Sequence, residues 1–327
     1  MRRLTNLILL GAVAVLAASG LLGWVLPEPA ASPLYALHRM AGIVLVLALP
    51  WKEVIARASL ARRARARAWP SAIPGIAAAT ALAVTIAIGL AWTAGVVTFD
   101  RPFAYSPLNV HVFAGLALVP LAAWHVIRRW EPPRTRDLTA RRNVIRLAGL
   151  SVLALAAGSF LERFPPGRRL TGSKHAGSFT GNDFPLTAWA FDGIPALDGS
   201  AWRVELAGAI RSPASLGYAD LVTRATTEID AILDCTGGWW TEQRWRGVAL
   251  LDLLAERGLE RSARRVTVRS VTGHSWTFPI AELRSAIVAT HVGGEALSPG
   301  HGYPARLVVP GKRGFQWIKW VARIEIS

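Results

Sequence analysis

The chain has 327 residues, a formal net charge of +16, 52 % hydrophobic residues and a single cysteine. That length accommodates two domains, and the lone Cys235 excludes an intrachain disulfide framework and CxxC zinc or thioredoxin chemistry. The excess charge sits mainly in short Arg-rich loops beside apolar blocks, where it orients a membrane protein, so nucleic-acid binding is not expected.

A transmembrane helix needs about 20 mostly apolar residues. Five segments qualify, at 5–26, 34–55, 72–94, 109–129 and 144–162. Arg2 and Arg3 precede the first. Lys52, Arg57, Arg62, Arg63, Arg65 and Arg67 follow the second, and Arg128, Arg129, Arg134, Arg136, Arg141 and Arg142 follow the fourth. The other loops hold only Glu28, or Asp100 with Arg101. The basic clusters therefore place the N-terminus in the cytoplasm and, after five crossings of the cell membrane, the C-terminal domain outside it. No cleavable signal is needed, because four spans follow the first.

The spans contain a repeat. Pro33-Leu34-Tyr35-Ala36-Leu37-His38-Arg39-Met40-Ala41-Gly42 returns, one residue shorter, as Pro107-Leu108-Asn109-Val110-His111-Val112-Phe113-Ala114-Gly115, and the offset that relates His38 to His111 also relates Trp51 to Trp124. Histidine inside a membrane helix is costly and marks function by default. Two at matching depth, each with a glycine one turn along, suit the axial ligation of one b-type haem. The plainer alternative is a pair of interfacial histidines satisfied by water or carbonyls. No CxxCH is present, which excludes covalent haem attachment. His125 lies 14 residues beyond His111, about 21 Å deeper. Lys52 is its counterpart in the first repeat, so a second haem lacks a partner ligand, and His125 is assigned a structural or quinone-side role. Residues 30–130 loosely resemble the b-type cytochrome bundles that take electrons from quinols, which implies a quinol or other membrane donor as partner.

The fifth span opens on Arg141-Arg142-Asn143-Val144-Ile145-Arg146-Leu147, which resembles a twin-arginine export signal. Such a route carries folded domains, as a domain loaded with cofactor in the cytoplasm requires. The alternative is a continuation of the positive-inside loop.

Beyond residue 175 the pattern becomes mixed α+β. Trp202–Leu206, Arg265–Arg269 and Arg306–Val309 read as strands. Val248–Arg257 reads as a helix capped at Gly258, and Ile280–Val288 as a second helix. Four motifs then occur in order: Phe179-Thr180-Gly181-Asn182-Asp183-Phe184-Pro185, Asp234-Cys235-Thr236-Gly237, His301-Gly302-Tyr303-Pro304-Ala305-Arg306, and Gly314-Phe315-Gln316-Trp317-Ile318-Lys319-Trp320. Together they resemble the molybdopterin domain of the sulfite oxidase family, including its bacterial methionine-sulfoxide-reductase-type members.

The resemblance implies that Cys235 ligates molybdenum, a role that suits a soft thiolate, whereas a lone cysteine is otherwise often a small buried hydrophobe. It implies that Asn182, Asp183 and Thr236 bind the pterin and that His301, Arg306 and Lys319 hold its phosphate. An Arg fork and a Lys charge fit an anion, and alone both would read as solvated strand charges. The family's substrate-binding Arg is replaced by Gly181, which disfavours sulfite. Its metal-side Tyr is replaced by His274, a candidate proton donor or else a surface-loop residue. Trp239, Trp240, Trp245 and Trp317 line a substrate entrance or fill the core.

The expected architecture is an all-α five-helix transmembrane bundle followed by an α+β sulfite-oxidase-type molybdopterin domain. Residues 1–130 form a four-helix membrane domain with the haem site. Residues 131–165 hold the basic loop and fifth helix, and 166–327 the extracytoplasmic molybdopterin domain. The expected function is molybdenum-dependent reduction of a small S-oxide or N-oxide, with Cys235 and His274 as catalytic residues. The alternatives are oxidation of a sulfite-like substrate with electrons passed to the membrane, a metal-free membrane-tethered binding module, and a transporter with a sensor domain.

Overall fold

The computed structural model describes residues 2–26, 31–67, 69–96, 106–129, 131–161, 169, 171–187 and 193–327. Glu28, Asp100 and Arg101, which entered the orientation argument, lie outside the described residues. The chain divides into two compact units, Met1–Gly172 and Ser173–Ser327.

The first unit contains α1 (Arg2–Val25), α2 (Ser32–Arg65), α3 (Ile73–Ala94), α4 (Pro107–Ile127), the short α5 (Thr135–Thr139) and α6 (Arg141–Leu161). All but α5 are long and apolar enough to cross a membrane. Large side chains such as Leu37, Val46, Phe113, Leu116, Leu153 and Leu155 face outward, an arrangement suited to an apolar solvent or a partner surface. Local chemistry sets the helix ends. Ser106 caps α4 in a reciprocal box with Asn109, and α3 stops at Gly95, whose φ of 77° is easy for glycine. The second span was expected to end at residue 55, but α2 continues to Arg65. Charge closes the apolar window there without ending the helix, because residues 56–65 are mostly Ala, Leu and Arg, all good helix formers.

α1 packs chiefly on α2, and α3 on α4. The sequence repeat thus appears as two helix pairs, with the equivalent Trp51 and Trp124 similarly exposed, at 41 % and 45 %.

The second unit is α+β. It contains β1 (Lys174–His175), β2 (Arg203–Gly208), β3 (Ala214–Gly217), α7 (Tyr218–Arg224), β4 (Thr227–Asp234), β5 (Trp239–Ala249), α8 (Leu250–Glu256), β6 (Arg265–Ser270), β7 (Ser275–Pro279), β8 (Ile287–Val292), β9 (Glu295–Ala296), β10 (Arg306–Val308) and β11 (Val321–Ile326). One sheet runs β1-β5-β8-β10, with β4 also on β5 and β9 on β8. The other runs β3-β2-β11-β6-β7. Alternation is clean in β6, where Val266 and Val268 are buried between exposed Arg265 and Arg269. α8 ends before Gly258, which has φ of 73°, as expected from its sequence.

The helix expected at 280–288 is not formed. A single 3-10 turn, Ile280–Leu283, leads into β8. Ile287, Val288, Ala289 and Thr290 are all buried, with β8 hydrogen-bonded to both β5 and β10. A strand buried on both faces is a continuous apolar run, which periodicity cannot separate from a helix.

Candidate functional site

β4 and β5 form a long antiparallel hairpin, in register from Thr227↔Gly247 to Asp234↔Trp240. Cys235 opens its turn. The backbone N–H of Cys235 donates to Trp239 O at 2.9 Å, and Gly238 N–H donates to Cys235 O at 3.1 Å. Two contacts behind the turn hold it. Buried Asp234 pairs with Arg313 Nη1 at 2.8 Å and accepts from Ser173 Oγ at 2.7 Å. An added Cβ at Gly314 would stand 3.1 Å from Cys235 Cα, so only glycine lets the 313–317 segment approach so closely.

The turn faces a cleft lined by Cys235, Thr236, His274, His301, Arg306 and Lys319, with Phe184, Trp239, Phe315, Trp317 and Trp320 among its apolar walls. Six of the eight sequence-predicted site residues of this unit are therefore brought together. Cys235 is buried, and its thiol lies 3.3 Å from Thr187 Oγ1 and 3.4 Å from Gly237 N–H.

Among the described residues no Asp or Glu lines the cleft, yet it holds two cations. Arg306 is 2 % exposed and lies over the rings of Trp245 and Trp317, 5.4 and 5.7 Å from their centroids. Its Nη1 donates to His301 O at 3.2 Å, while its Nε is buried without a hydrogen-bond partner among the described residues. Burial pulls its pKa down to about 10, opposed by the nearby Cys235 sulfur, so the group remains a cation at neutral pH. Lys319 Nζ donates to Gly300 O at 2.7 Å and Thr187 O at 3.1 Å. The indole N–H of Trp317 is likewise buried and unpartnered among the described residues. Buried donors of this kind, beside the cations Arg306 and Lys319, fit an anionic ligand with acceptor oxygens.

His301 differs from its expected role. Its Nε2–H donates to Phe184 O at 3.0 Å, and its Nδ1 accepts from Ser298 Oγ at 2.7 Å. Both nitrogens are thus used within the protein, and the residue organises the cleft wall. Burial and the neighbouring Arg306 push its pKa down to about 4. A histidine depressed from 6.5 contributes full stability above the unfolded value and loses it as pH falls toward the folded one. The second unit is accordingly expected to lose up to about 3 kcal/mol between pH 6.5 and 4. Thermal melts of His301→Gln, compared with the parent over that range, check this by a flattened pH dependence.

His274 sits in the β6–β7 turn, its Nε2–H donating to Phe315 O at 2.8 Å. That bond leaves Nδ1 as the ring nitrogen it does not use. Asn182 and Asp183 do not line the cleft. Asn182 clamps the 295–298 segment, accepting from Ser298 N–H at 2.9 Å and donating to Ala296 O at 2.9 Å. Asp183 is exposed. Gly181 is buried beneath Glu295, whose carboxylate would stand 3.2 Å from an added Cβ. Of the four tryptophans considered, Trp239 and Trp317 line the cleft, Trp245 is core and Trp240 stacks on His175 outside it. Asp234, Arg313 and Thr187 had not been anticipated. The acid directly before the cysteine was the available signal for the first.

In the first unit, His38 on α2 and His111 on α4 face one another, with ring centroids 6.2 Å apart and planes at 75°. The tautomers follow from their partners. His111 Nδ1 lies 2.8 Å from Thr85 O, which only accepts, so Nδ1 carries the proton and Nε2 the lone pair. Ser19 Oγ donates to Val15 O at 2.6 Å and therefore accepts from His38 Nδ1 at 3.2 Å. Each ring then keeps its lone pair on Nε2. Metal–nitrogen bonds of about 2 Å, plus about 1 Å from each nitrogen to its ring centre, require roughly 6 Å between centroids, so the pair fits one metal ion such as a haem iron. Gly42 and Gly115, one turn beyond the histidines, have only Leu16 and Thr85 side chains at 3.9 Å from an added Cβ and do not meet the rings. Gly20 and Gly89, on the preceding helices, do.

Residues 191–327 match the family model described as the oxidoreductase molybdopterin binding domain. Similar curated proteins include a nitrate reductase [NAD(P)H] of Hordeum vulgare, 27 % identical over 41 % of this chain and 19 % of that one. A nitrate reductase [NADH] of Spinacia oleracea is 28 % identical over 52 % of this chain and 23 % of that one. The chain spans less than a quarter of the length of these relatives. The crystal structure of the sulfane dehydrogenase SoxCD from Paracoccus pantotrophus aligns with a TM-score of 0.40, at 29 % identity, over 41 % of this chain and 40 % of that one. The second unit thus carries a molybdopterin-binding oxidoreductase domain.

Proposed function

We propose that this chain is a membrane-bound molybdenum oxidoreductase, whose C-terminal domain exchanges electrons with the membrane through a haem held by His38 and His111. The observation that carries the reading is the cleft that the buried Cys235 shares with the buried cation Arg306, with no Asp or Glu among its described lining residues. When bound, the molybdenum cofactor supplies two-electron oxygen-atom transfer.

The chain's own residues divide the remaining work. The Cys235 thiolate holds the metal, and its neighbour Thr236 lines the same wall. Arg306 and Lys319 neutralise the cofactor's phosphate, with His301 fixing the segment between them. Asn182 positions Ser298, the hydrogen-bond partner of His301, and Asp183 continues that segment. Phe315, Trp317 and Trp239 exclude water and present an apolar wall, which suits an uncharged S-oxide or N-oxide better than a small anion. His274 delivers a proton from Nδ1. The positive-inside pattern sets the N-terminus in the cytoplasm and the domain outside. Arg141 and Arg142, at the start of α6, serve as the export signal.

Arg306→Gln is expected to weaken cofactor retention by roughly 30-fold or more, the loss of a charge-assisted bond worth about 2–3 kcal/mol. Molybdopterin content after gel filtration reads this directly. The function itself is tested by assaying the purified full chain with reduced viologen and either methionine sulfoxide or trimethylamine N-oxide. Turnover is expected with at least one. Turnover only with sulfite and ferricyanide would reverse the direction.

A further inference from the structure

Thr187 stands where three parts of the cleft meet. Its Oγ1 lies 3.3 Å from Cys235 Sγ and 3.0 Å from the indole Nε1 of Trp239, and its backbone oxygen accepts from Lys319 Nζ at 3.1 Å. All four residues line the cleft. Gly237 completes the seat. An added Cβ there would stand 2.8 Å from Thr187 Oγ1, so a side chain at 237 would displace the hydroxyl.

Hydrogen accounting decides what the hydroxyl does. An indole N–H only donates, so Trp239 takes one lone pair of Oγ1 and leaves the hydroxyl hydrogen for another partner. Among the described residues, the other neighbour of Oγ1 is the Cys235 sulfur. A thiol donates its S–H to Oγ1. A thiolate has no hydrogen, so with the sulfur bound to a metal the direction reverses and Thr187 O–H donates to the sulfur. The S–H proton leaves to solvent when the metal–sulfur bond forms. Donation from Trp239 polarises the hydroxyl and strengthens the bond it makes.

The sulfur has a second donor in Gly237 N–H, at 3.4 Å. That donor belongs to the backbone of the turn and comes with it whatever the side chains are. Thr187 is the side-chain donor, and it reaches the sulfur from 48 positions away in the sequence.

We infer that Thr187 is a positioning residue for the redox chemistry: its hydroxyl donates to the Cys235 sulfur and raises the reduction potential of the metal that this sulfur holds. The inference rests on the reading of Cys235 as the molybdenum ligand. A hydrogen bond to a ligating sulfur draws charge from it and so favours the reduced, more electron-rich metal. In a reductase the raised potential eases delivery of electrons from the membrane donor, at some loss of driving force toward the oxide substrate.

The test is a potentiometric titration of the molybdenum(V) paramagnetic resonance signal on the detergent-solubilised full chain, with metal content measured beside it. Thr187→Val keeps nearly the same shape and removes the hydroxyl. It is expected to retain molybdenum and to shift the molybdenum(VI)/molybdenum(V) equilibrium about tenfold toward the oxidised metal, equivalent to about 59 mV for one electron. Thr187→Ser keeps the hydroxyl and should titrate with the parent. Trp239→Phe leaves the hydroxyl free to rotate and should shift the potential in the same direction by less, which supplies the reading if Thr187→Val does not fold. An unchanged potential in Thr187→Val, or in Trp239→Phe should that variant have to decide, overturns the inference. An equal shift in Thr187→Ser and Thr187→Val, or molybdenum lost from both, overturns it in favour of a packing role. A parent without molybdenum overturns both this inference and the reading beneath it.

Discussion

Cys235→Ala is expected to reduce oxygen-atom transfer by at least about 10³-fold, equivalent to roughly 4 kcal/mol of transition-state stabilisation. The thiolate is the only sulfur the protein presents to the cleft, and an alanine supplies no donor to replace it. The fold should survive. Among the described residues the sulfur hydrogen-bonds only Thr187 Oγ1 and Gly237 N–H, at 3.3–3.4 Å, and the turn is held by Asp234, Arg313 and Ser173 instead. Loss of one buried sulfur costs about 1 kcal/mol. The variant should therefore melt within a few degrees of the parent while being inactive, and Cys235→Ser, with a harder oxygen donor, should recover little. A variant that retains most of its turnover would mean that the chemistry does not use this sulfur.

The second large effect falls in the other unit. His111→Ala and His38→Ala are each expected to remove the haem between them and to lower quinol-driven turnover by at least about 10²-fold, the scale on which losing a metal ligand or its support acts. Dye-driven turnover should stay within about twofold of the parent, because the cleft residues all belong to the second unit. Thr85 O would lose its imidazole partner in His111→Ala, and the ring that now packs against Gly89 would be gone. Equal loss of quinol-driven and dye-driven activity would point to misfolding, and no loss of either would detach the histidines from the redox path. Soret absorbance separates these outcomes.

Some of this was legible in the sequence and some was not, for identifiable reasons. The five long helices were visible because a membrane-crossing helix must be apolar around its whole circumference. The end of α2 was misplaced because charge at Arg57–Arg65 signals the edge of an apolar layer and says nothing against a helix. The helix expected at 280–288 was misread because its start is a single 3-10 turn and its last two residues already belong to the doubly buried β8. In the second unit the motifs singled out Cys235, Arg306 and Lys319 through the family resemblance they carry, and the three do share one cleft. The state of His301 and Asn182 was not legible, because it depends on partners far along the chain, Phe184 for one and Ser298 for the other. The same holds for Gly20, Gly75 and Gly89. Their contacts with histidines lie between helices, where no local motif shows them.

These residues make the account quantitative in one respect. Metal content alone, measured on the purified full chain matured with cofactor available, tests whether the cleft is a molybdenum site. About one molybdenum per chain is expected in the parent, falling sharply in Cys235→Ala while haem iron is unchanged. A parent without molybdenum, or one whose molybdenum is indifferent to Cys235, would contradict the account and leave a membrane-tethered domain that binds something else.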